Sequence, residues 1–242
     1  MNEFFADFQA DFIKCFITDN RWKYIVDGLG ATVLITFFSC LLGIVLGLVT
    51  AIIRSSYDKN YQNMRDGVGK TLLCVVNWFC NLYLTVIRGT PVLVQLMIMY
   101  YIVFATSNNG IFIASVAFGI NSGAYVAEIF RSGIMSIDPG QFEAGRSLGF
   151  GYVPTMLYIV FPQAFKNVLP ALANEFIVLL KETSVAGYVA IQDLTKGGDI
   201  IRGATYETYM PLFTVALIYL IVVVFFTKLV NILERRLRNS ER

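Results

Sequence analysis

Long polar side chains interrupt residues 167–191, a segment that is otherwise apolar enough to cross a membrane; they are Asn174, Glu175, Lys181 and Glu182. Glu175 and Glu182 are seven residues apart and share one helical face with Leu179, at about 100° per residue. Asn174 and Lys181 form a parallel stripe beside them. Ionisable groups at membrane depth are costly and usually face a pathway or a partner. Because its charges are of mixed sign, this stripe suits a zwitterion, whose ammonium binds carboxylates and whose carboxylate binds cations.

A second apolar region, residues 71–104, contains Arg88, which is another candidate for binding a carboxylate. The alternative is that these buried charges pair with one another, or with a second subunit, and only hold helices together. For Glu128 and Arg131, which are three residues apart, a local structural pair is favoured. Both explanations stay open for the stripe around Glu175 and for Arg88.

The elements that carry these residues are predicted to be five membrane-spanning helices, because each apolar segment provides the roughly 20 residues that a span needs. The segments are 24–53, 71–104, 111–130, 167–191 and 209–230. Gly43 and Gly47 form a small-xxx-small pair that lets a neighbouring helix approach closely. The second segment is too long for one straight span and is broken at residues 88–91. It is either a bent helix or a surface segment followed by a span from about Pro91.

Composition agrees with a membrane protein, since 56% of the residues are hydrophobic and 15% are charged, with a mean hydropathy of +0.63. A net charge of +2, and the absence of a Lys/Arg run that resembles a phosphate-tracking surface, argue against nucleic acid as a partner. Four cysteines without paired spacing, together with no histidine, argue against a disulfide framework or a zinc site. No secretory signal peptide is predicted at the N-terminus.

The Lys and Arg residues of the loops predict the orientation of the bundle. Four lie in residues 54–70, three between 131 and 166, and five from residue 228 onward, against none in 106–110 and two in 192–208. Because basic loops are usually cytoplasmic, we expect the N-terminus outside, the C-terminus inside and loop 132–166 in the cytoplasm.

Three regions are therefore predicted along the chain. Residues 1–23 form an amphipathic helix on the membrane surface or, alternatively, a partly ordered tail. Residues 24–235 form the transmembrane domain, and residues 236–242 form a cytoplasmic basic tail.

The cytoplasmic loop is predicted to contain two short helices between Asp138 and Pro162. Asp138 caps the first, Pro139 suits its first turn, and Gln141 can complete a capping box. This helix should end at Gly149. Pro154 can start a second short helix that ends before Pro162. The loop is longer than a connection requires, which indicates a function.

The spacing Glu143-Ala144-x4-Gly149-x9-Ile159-x2-Pro162 resembles the EAA loop of ABC-importer permeases. Gly145 replaces a usual alanine, and Phe161 a usual leucine. Four further blocks, over about residues 28–234, resemble the polar amino acid branch of these permeases. They are Arg88-Gly89-Thr90-Pro91 with Gln95, Ala124-Tyr125-x2-Glu128-x2-Arg131, Gly140-Gln141-x-Glu143, and Asn174 with Lys181-x-Thr183-Ser184.

The resemblance implies an all-α, five-helix type I ABC-importer permease of the bacterial cytoplasmic membrane. Its coupling loop, with Asp138, Gln141, Glu143, Ala144, Gly145, Gly149 and Pro162, would dock on an ATP-binding subunit. Its pathway candidates are Asn174, Glu175, Lys181, Glu182, Ser184, Arg88 and Gln95. The implied partners are two ATP-binding subunits, a second permease (a copy or a relative), an extracytoplasmic amino-acid-binding protein and membrane lipid.

No cofactor is expected on this chain. It lacks a Gly-x4-Gly-Lys-Ser/Thr motif, so ATP and Mg²⁺ are expected in the partner ATPases.

The two carboxylates of the stripe favour a cationic amino acid as cargo. The alternative is a self-sufficient secondary transporter whose buried carboxylates carry protons, although such chains usually contain two repeats. A membrane enzyme and an exporter-type membrane domain are less favoured, the first for want of catalytic groups and the second because of the EAA spacing.

Overall fold

The computed structural model describes the backbone of residues 2–61, 64 and 66–239, and the side chains of these residues except 2–6, 60 and 237–239. All regular secondary structure in this part of the chain is helical. The α-helices are α1 (Asn2–Phe12), α2 (Trp22–Asn60), α3 (Val68–Gly89), α4 (Val92–Ile98), α5 (Gly110–Met135), α6 (Pro139–Ser147), α7 (Tyr152–Thr155), α8 (Phe161–Glu182), α9 (Leu194–Thr205) and α10 (Tyr209–Asn239).

Within the described residues, five helices are long and apolar enough to cross a membrane, as predicted. They are Trp22–Lys59, Val68–Gly89, Gly110–Met135, Tyr152–Val189 and Tyr209–Arg236. The predicted interruption near Pro91 is present. The helix after it, Val92–Val103, is shorter than a span, and Val68–Gly89 is the candidate span by length and composition.

The predicted second short helix of the loop, ending before Pro162, is wrong. A π-helical turn, Met156–Val160, joins α7 to α8, and the Phe161 N–H bonds the Met156 carbonyl. Pro162 is the second residue of α8 and comes directly after this turn. The helix therefore runs through the proline.

The chain forms two compact units, and four of the long helices contribute residues to both. Unit 1 comprises Met1–Ser39, Leu93–Phe118 and Phe176–Leu229. An apolar cluster in this unit buries Cys15 and Phe16, which follow α1, against Ile25 of α2, Leu194 and Ile201 of α9, and Val215 of α10. The predicted N-terminal segment is therefore packed into unit 1 after Phe12, whereas the side chains of Glu3, Phe4 and Phe5 lie outside the described residues.

Unit 2 comprises Cys40–Val92, Gly119–Glu175 and Val230–Arg242. Residues 240–242 of the predicted basic tail, and Arg65 of the charge count, lie outside the described residues. The α5 residues Val126 and Phe130 pack with Ala51 of α2 and with Val168 and Leu172 of α8.

The predicted small-xxx-small contact is present in unit 2, where α2 meets α5. A Cβ atom on Gly43 would lie 3.0 Å from the Ser122 side chain, and one on Gly47 would lie 2.5 Å from Val126 Cγ1. Both glycines are therefore required by close helix approach rather than by backbone conformation.

Gly47→Ala is expected to destabilise the protein by about 1–3 kcal/mol, because overpacking a tight contact costs energy of this order. Gly30→Ala is the matched control on the same helix, since a Cβ there meets nothing within 4 Å; it should be neutral or stabilising. Thermal melting of the purified transporter measures both, and equal melting temperatures would contradict the packing argument.

Candidate functional site

Helix α6 of the predicted coupling loop begins as the sequence predicts. Asp138 is its N-cap and accepts a hydrogen bond from the Gly140 N–H at 2.7 Å, and Pro139 occupies the first turn. The predicted capping box does not form, because the Gln141 side-chain oxygen instead accepts a hydrogen bond from Gln163 at 3.3 Å. Gln141 therefore ties α6 to the start of α8.

The end of α6 depends on Gly149, whose φ of +82° lies in the left-handed region. The Gly149 N–H bonds the Arg146 carbonyl at 2.9 Å, and the Phe150 N–H bonds the Gly145 carbonyl at 3.0 Å. This pair of bonds is the Schellman arrangement that ends helices at glycine. A side chain at position 149 would be strained whatever the surrounding space.

Gly145 is buried where α6 contacts α7. A Cβ atom there would lie 2.6 Å from both Cγ2 and Oγ1 of Thr155, and the Thr155 hydroxyl is held by the Gly151 carbonyl at 2.9 Å. This contact explains why glycine replaces the alanine usual at this position. Glu143 and Ala144, by contrast, are exposed and available to a partner.

Helix α2 also contacts the coupling loop. The sequence did not predict this contact, because the first predicted span ended at Ile53. The Lys59 ammonium lies 3.4 Å from the centre of the Phe142 ring, a cation–π contact. Phe142 in turn packs on the cluster of Ile134, Ile137, Val160 and Ala164. A cavity of about 410 Å³ lies beside it, lined in part by Lys59, Glu143, Arg146 and Tyr152.

The stripe on α8 is divided between the two units. Asn174 and Glu175 belong to unit 2, where Asn174 is exposed and Glu175 is partly buried. The Ser122 hydroxyl of α5 donates a hydrogen bond to Glu175 Oε1 at 2.9 Å. Sequence reasoning did not select Ser122, because a lone serine in an apolar helix gives no signal of its partner.

Lys181, Glu182 and Ser184 belong to unit 1. Lys181 is exposed, Glu182 and Ser184 are partly buried, and Leu179 is fully buried. Gln95 of α4 is partly buried in the same unit.

Ser184 lines a cavity of about 520 Å³ in unit 1 with Lys196, Asp199 and Arg202 of α9. Hydrogen bonds from Arg202 and then from Lys196 hold the pKa of the Asp199 carboxyl below its usual range. The charged residues of this cavity therefore neutralise one another in part.

Arg88 belongs to a cluster of charges in unit 2. Its guanidinium lies 3.5 Å from Glu128 Oε1, and that of Arg54 lies 3.3 Å from the same oxygen. The predicted Glu128–Arg131 pair is present at 3.8 Å, but Arg131 lies closer to Asp58, at 2.9 Å. The Glu128 carboxylate therefore forms ion pairs with three arginines.

Residues 43–239 match the family described as "Binding-protein-dependent transport system inner membrane component". The chain belongs to this family. The putative glutamine transport system permease GlnP of Rickettsia typhi is 34% identical over 217 residues, covering 88% of this chain and 93% of that protein. The arginine transport system permease ArtQ of Bacillus subtilis is 34% identical over 221 residues, covering 90% and 94%.

Solved structures agree with this assignment. One described as an amino acid ABC transporter with histidines has 37% sequence identity and a TM-score of 0.78, covering 91% of this chain and 98% of that chain. A methionine ABC transporter, MetNI, has 18% identity and a TM-score of 0.74, covering 89% and 97%, and this likeness shows the fold alone.

The protein is therefore a multi-pass membrane permease of an amino acid ABC importer, a transport component of an assembly that includes ATP-binding partners. The secondary-transporter alternative is not favoured. In this permease, the exposed face of α6 and the residues around Glu175 are the two candidate functional sites.

Proposed function

We propose that this permease forms a translocation pathway as a dimer, with a copy of itself or a related permease, in the bacterial cytoplasmic membrane. Two ATP-binding subunits would dock on the cytoplasmic side, and a substrate-binding protein would deliver cargo outside, with the N-terminus out and the C-terminus in. The family description and the charges of the loops support this arrangement. ATP and Mg²⁺ would be held by the partner subunits.

Helix α6 would receive the movement of the ATP-binding subunit. The observation that carries this proposal is that exposed Glu143 and Ala144 lie on a short helix with a fixed position. The helix is capped at Asp138, ends at Gly149 and packs against Thr155 through Gly145. Because Gly145 contacts Thr155 at the start of the α7–α8 helix, displacement of α6 would be transmitted to the helix that carries Glu175. ATP binding would thereby switch the pathway from inward-facing to outward-facing.

The cargo would be a polar amino acid, with a cationic one favoured by the two carboxylates of α8. Relatives named for glutamine, arginine and cystine transport support this class. Asn174, Glu175, Lys181, Glu182 and Ser184 would line the pathway, with Gln95 and Arg88 as further candidates.

Glu143→Lys in the reconstituted transporter tests the coupling role. The charge reversal should lower ATP-driven uptake at least tenfold and uncouple ATP hydrolysis from transport or prevent docking of the ATP-binding subunit. Glu234→Lys is the matched control, because Glu234 is also exposed and lies in α10 after its apolar segment. Full coupled transport by Glu143→Lys, or uptake driven by a proton gradient without the ATPase, would refute the proposal.

A further inference from the structure

A polar cavity of about 440 Å³ lies in unit 2 among helices α2, α3 and α5, apart from α6 and from Glu175. We call it the arginine cavity; its polar lining is Arg54, Asn81, Thr85, Arg88, Tyr125 and Glu128. The charged residues of this cavity have no role in the proposed coupling of α6 to an ATP-binding subunit.

The cavity holds an excess of positive charge. Two guanidinium groups, of Arg54 and Arg88, share a single oxygen of Glu128 at 3.3 and 3.5 Å. Arg131, the third arginine near Glu128, is already neutralised by Asp58 through two hydrogen bonds, at 3.2 and 2.9 Å.

Donor groups are also in excess, because each guanidinium has five N–H groups arranged to bind a planar or tetrahedral anion. The Nε atom of Arg54 is buried and has no hydrogen-bond partner in the described part of the chain. Arg88 keeps 46% of its side chain exposed. One carboxylate therefore leaves about one positive charge, and exposed N–H groups on Arg88, without an acidic partner.

An apolar surface borders this charged cavity. On α3, the side chains of Trp78, Leu82 and Val86 are 58%, 45% and 49% exposed. Thr85 lines the cavity and lies about 20° from Trp78 and about 60° from Leu82 around the helix axis, at 100° per residue. Since α3 is one of the candidate membrane spans, this strip is suited to contact acyl chains.

We propose that the arginine cavity binds the phosphate of an anionic phospholipid, with Arg54 and Arg88 as its ligands and the lipid's chains along Trp78 and Leu82. Basic pockets between transmembrane helices on the cytoplasmic side are known to take anionic headgroups. A zwitterionic lipid fits less well, because its ammonium adds positive charge where the cavity already has an excess. This proposal replaces the pathway role of Arg88 with lipid binding, and the lipid ties α2 and α3 to α5.

Lipid retention by the purified, assembled transporter tests this, using native mass spectrometry with phosphatidylglycerol and phosphatidylcholine of identical chains. We expect at least tenfold preferential retention of phosphatidylglycerol, and loss of that preference in Arg88→Gln and in Arg54→Gln. Arg202→Gln is the matched control in unit 1, where the arginine is similarly exposed, at 48%, and it should retain the preference.

Two further measurements keep the result interpretable. Arg54→Lys retains the charge and should keep part of the preference, and lipid-free melting curves identify a variant that has merely failed to fold. Equal retention of the two lipids, or unchanged preference in a folded Arg88→Gln, would overturn the proposal. A rise in the cargo's Kd in Arg88→Gln with lipid retention unchanged would also overturn it, and would assign the cavity to the cargo's carboxylate. The same holds if a second permease subunit covers the cavity.

Discussion

Glu175→Gln is expected to lower the initial rate of amino acid uptake at least tenfold, while the transporter still assembles. Glu175 is partly buried on α8, and no cation in the described part of the chain forms an ion pair with it. Its hydrogen bond from Ser122 occupies one oxygen, which leaves acceptor sites for a cargo ammonium. Hydrogen bonds to charged groups contribute about 1.5–3 kcal/mol, enough for a tenfold to hundredfold effect.

Glutamine has nearly the same shape as glutamate and keeps an oxygen for the Ser122 hydroxyl, so the variant isolates the charge. Ser122→Ala is the companion variant, which removes the donor and keeps the carboxylate; it should slow uptake less. ATP-driven uptake of radiolabelled amino acid into vesicles measures both, with size-exclusion chromatography to verify assembly. Normal uptake by an assembled Glu175→Gln transporter would remove Glu175 from the pathway.

Gly145→Ala is expected to lower coupled transport at least tenfold, although alanine is usual at this position in EAA loops. The added Cβ would lie 2.6 Å from the Thr155 side chain, and Thr155 cannot easily rotate away because its hydroxyl bonds the Gly151 carbonyl. Helix α6 must therefore shift from α7, at a cost of about 1–3 kcal/mol. The displaced α6 would no longer present Glu143 correctly to the ATP-binding subunit.

The second-site variant Gly145→Ala/Thr155→Ala should recover most of the lost transport, because it removes both clashing atoms. Gly151→Ala is the control within the same loop, since a Cβ there meets only Pro154 Cδ at 3.9 Å, and it should transport normally. The readout is uptake per ATP hydrolysed. An unimpaired Gly145→Ala transporter, or a double variant no better than the single one, would show that the Gly145–Thr155 contact does not position α6.

Features that depend on neighbouring residues in the chain were predictable. The five apolar segments, the cap at Asp138 and the helix end at Gly149 each follow from local hydrophobicity, hydrogen bonding or backbone conformation. The error at Pro162 is also local in origin. A proline usually marks a helix end, but in this protein the π-helical turn before it lets α7 continue into α8.

By itself, then, the sequence determined an all-helical chain with five candidate spans and a capped loop helix, because those properties are set within a few residues; the permease family followed from the resemblance of its motifs. Only the tertiary structure decided which side chains meet. Ser122 reaches Glu175 across 53 positions, Arg54 reaches Glu128 across 74, and Thr155 forces position 145 to be glycine. Periodicity can place such residues on a helical face, but the partner of each face is set by how α2, α3, α5 and α8 pack within unit 2.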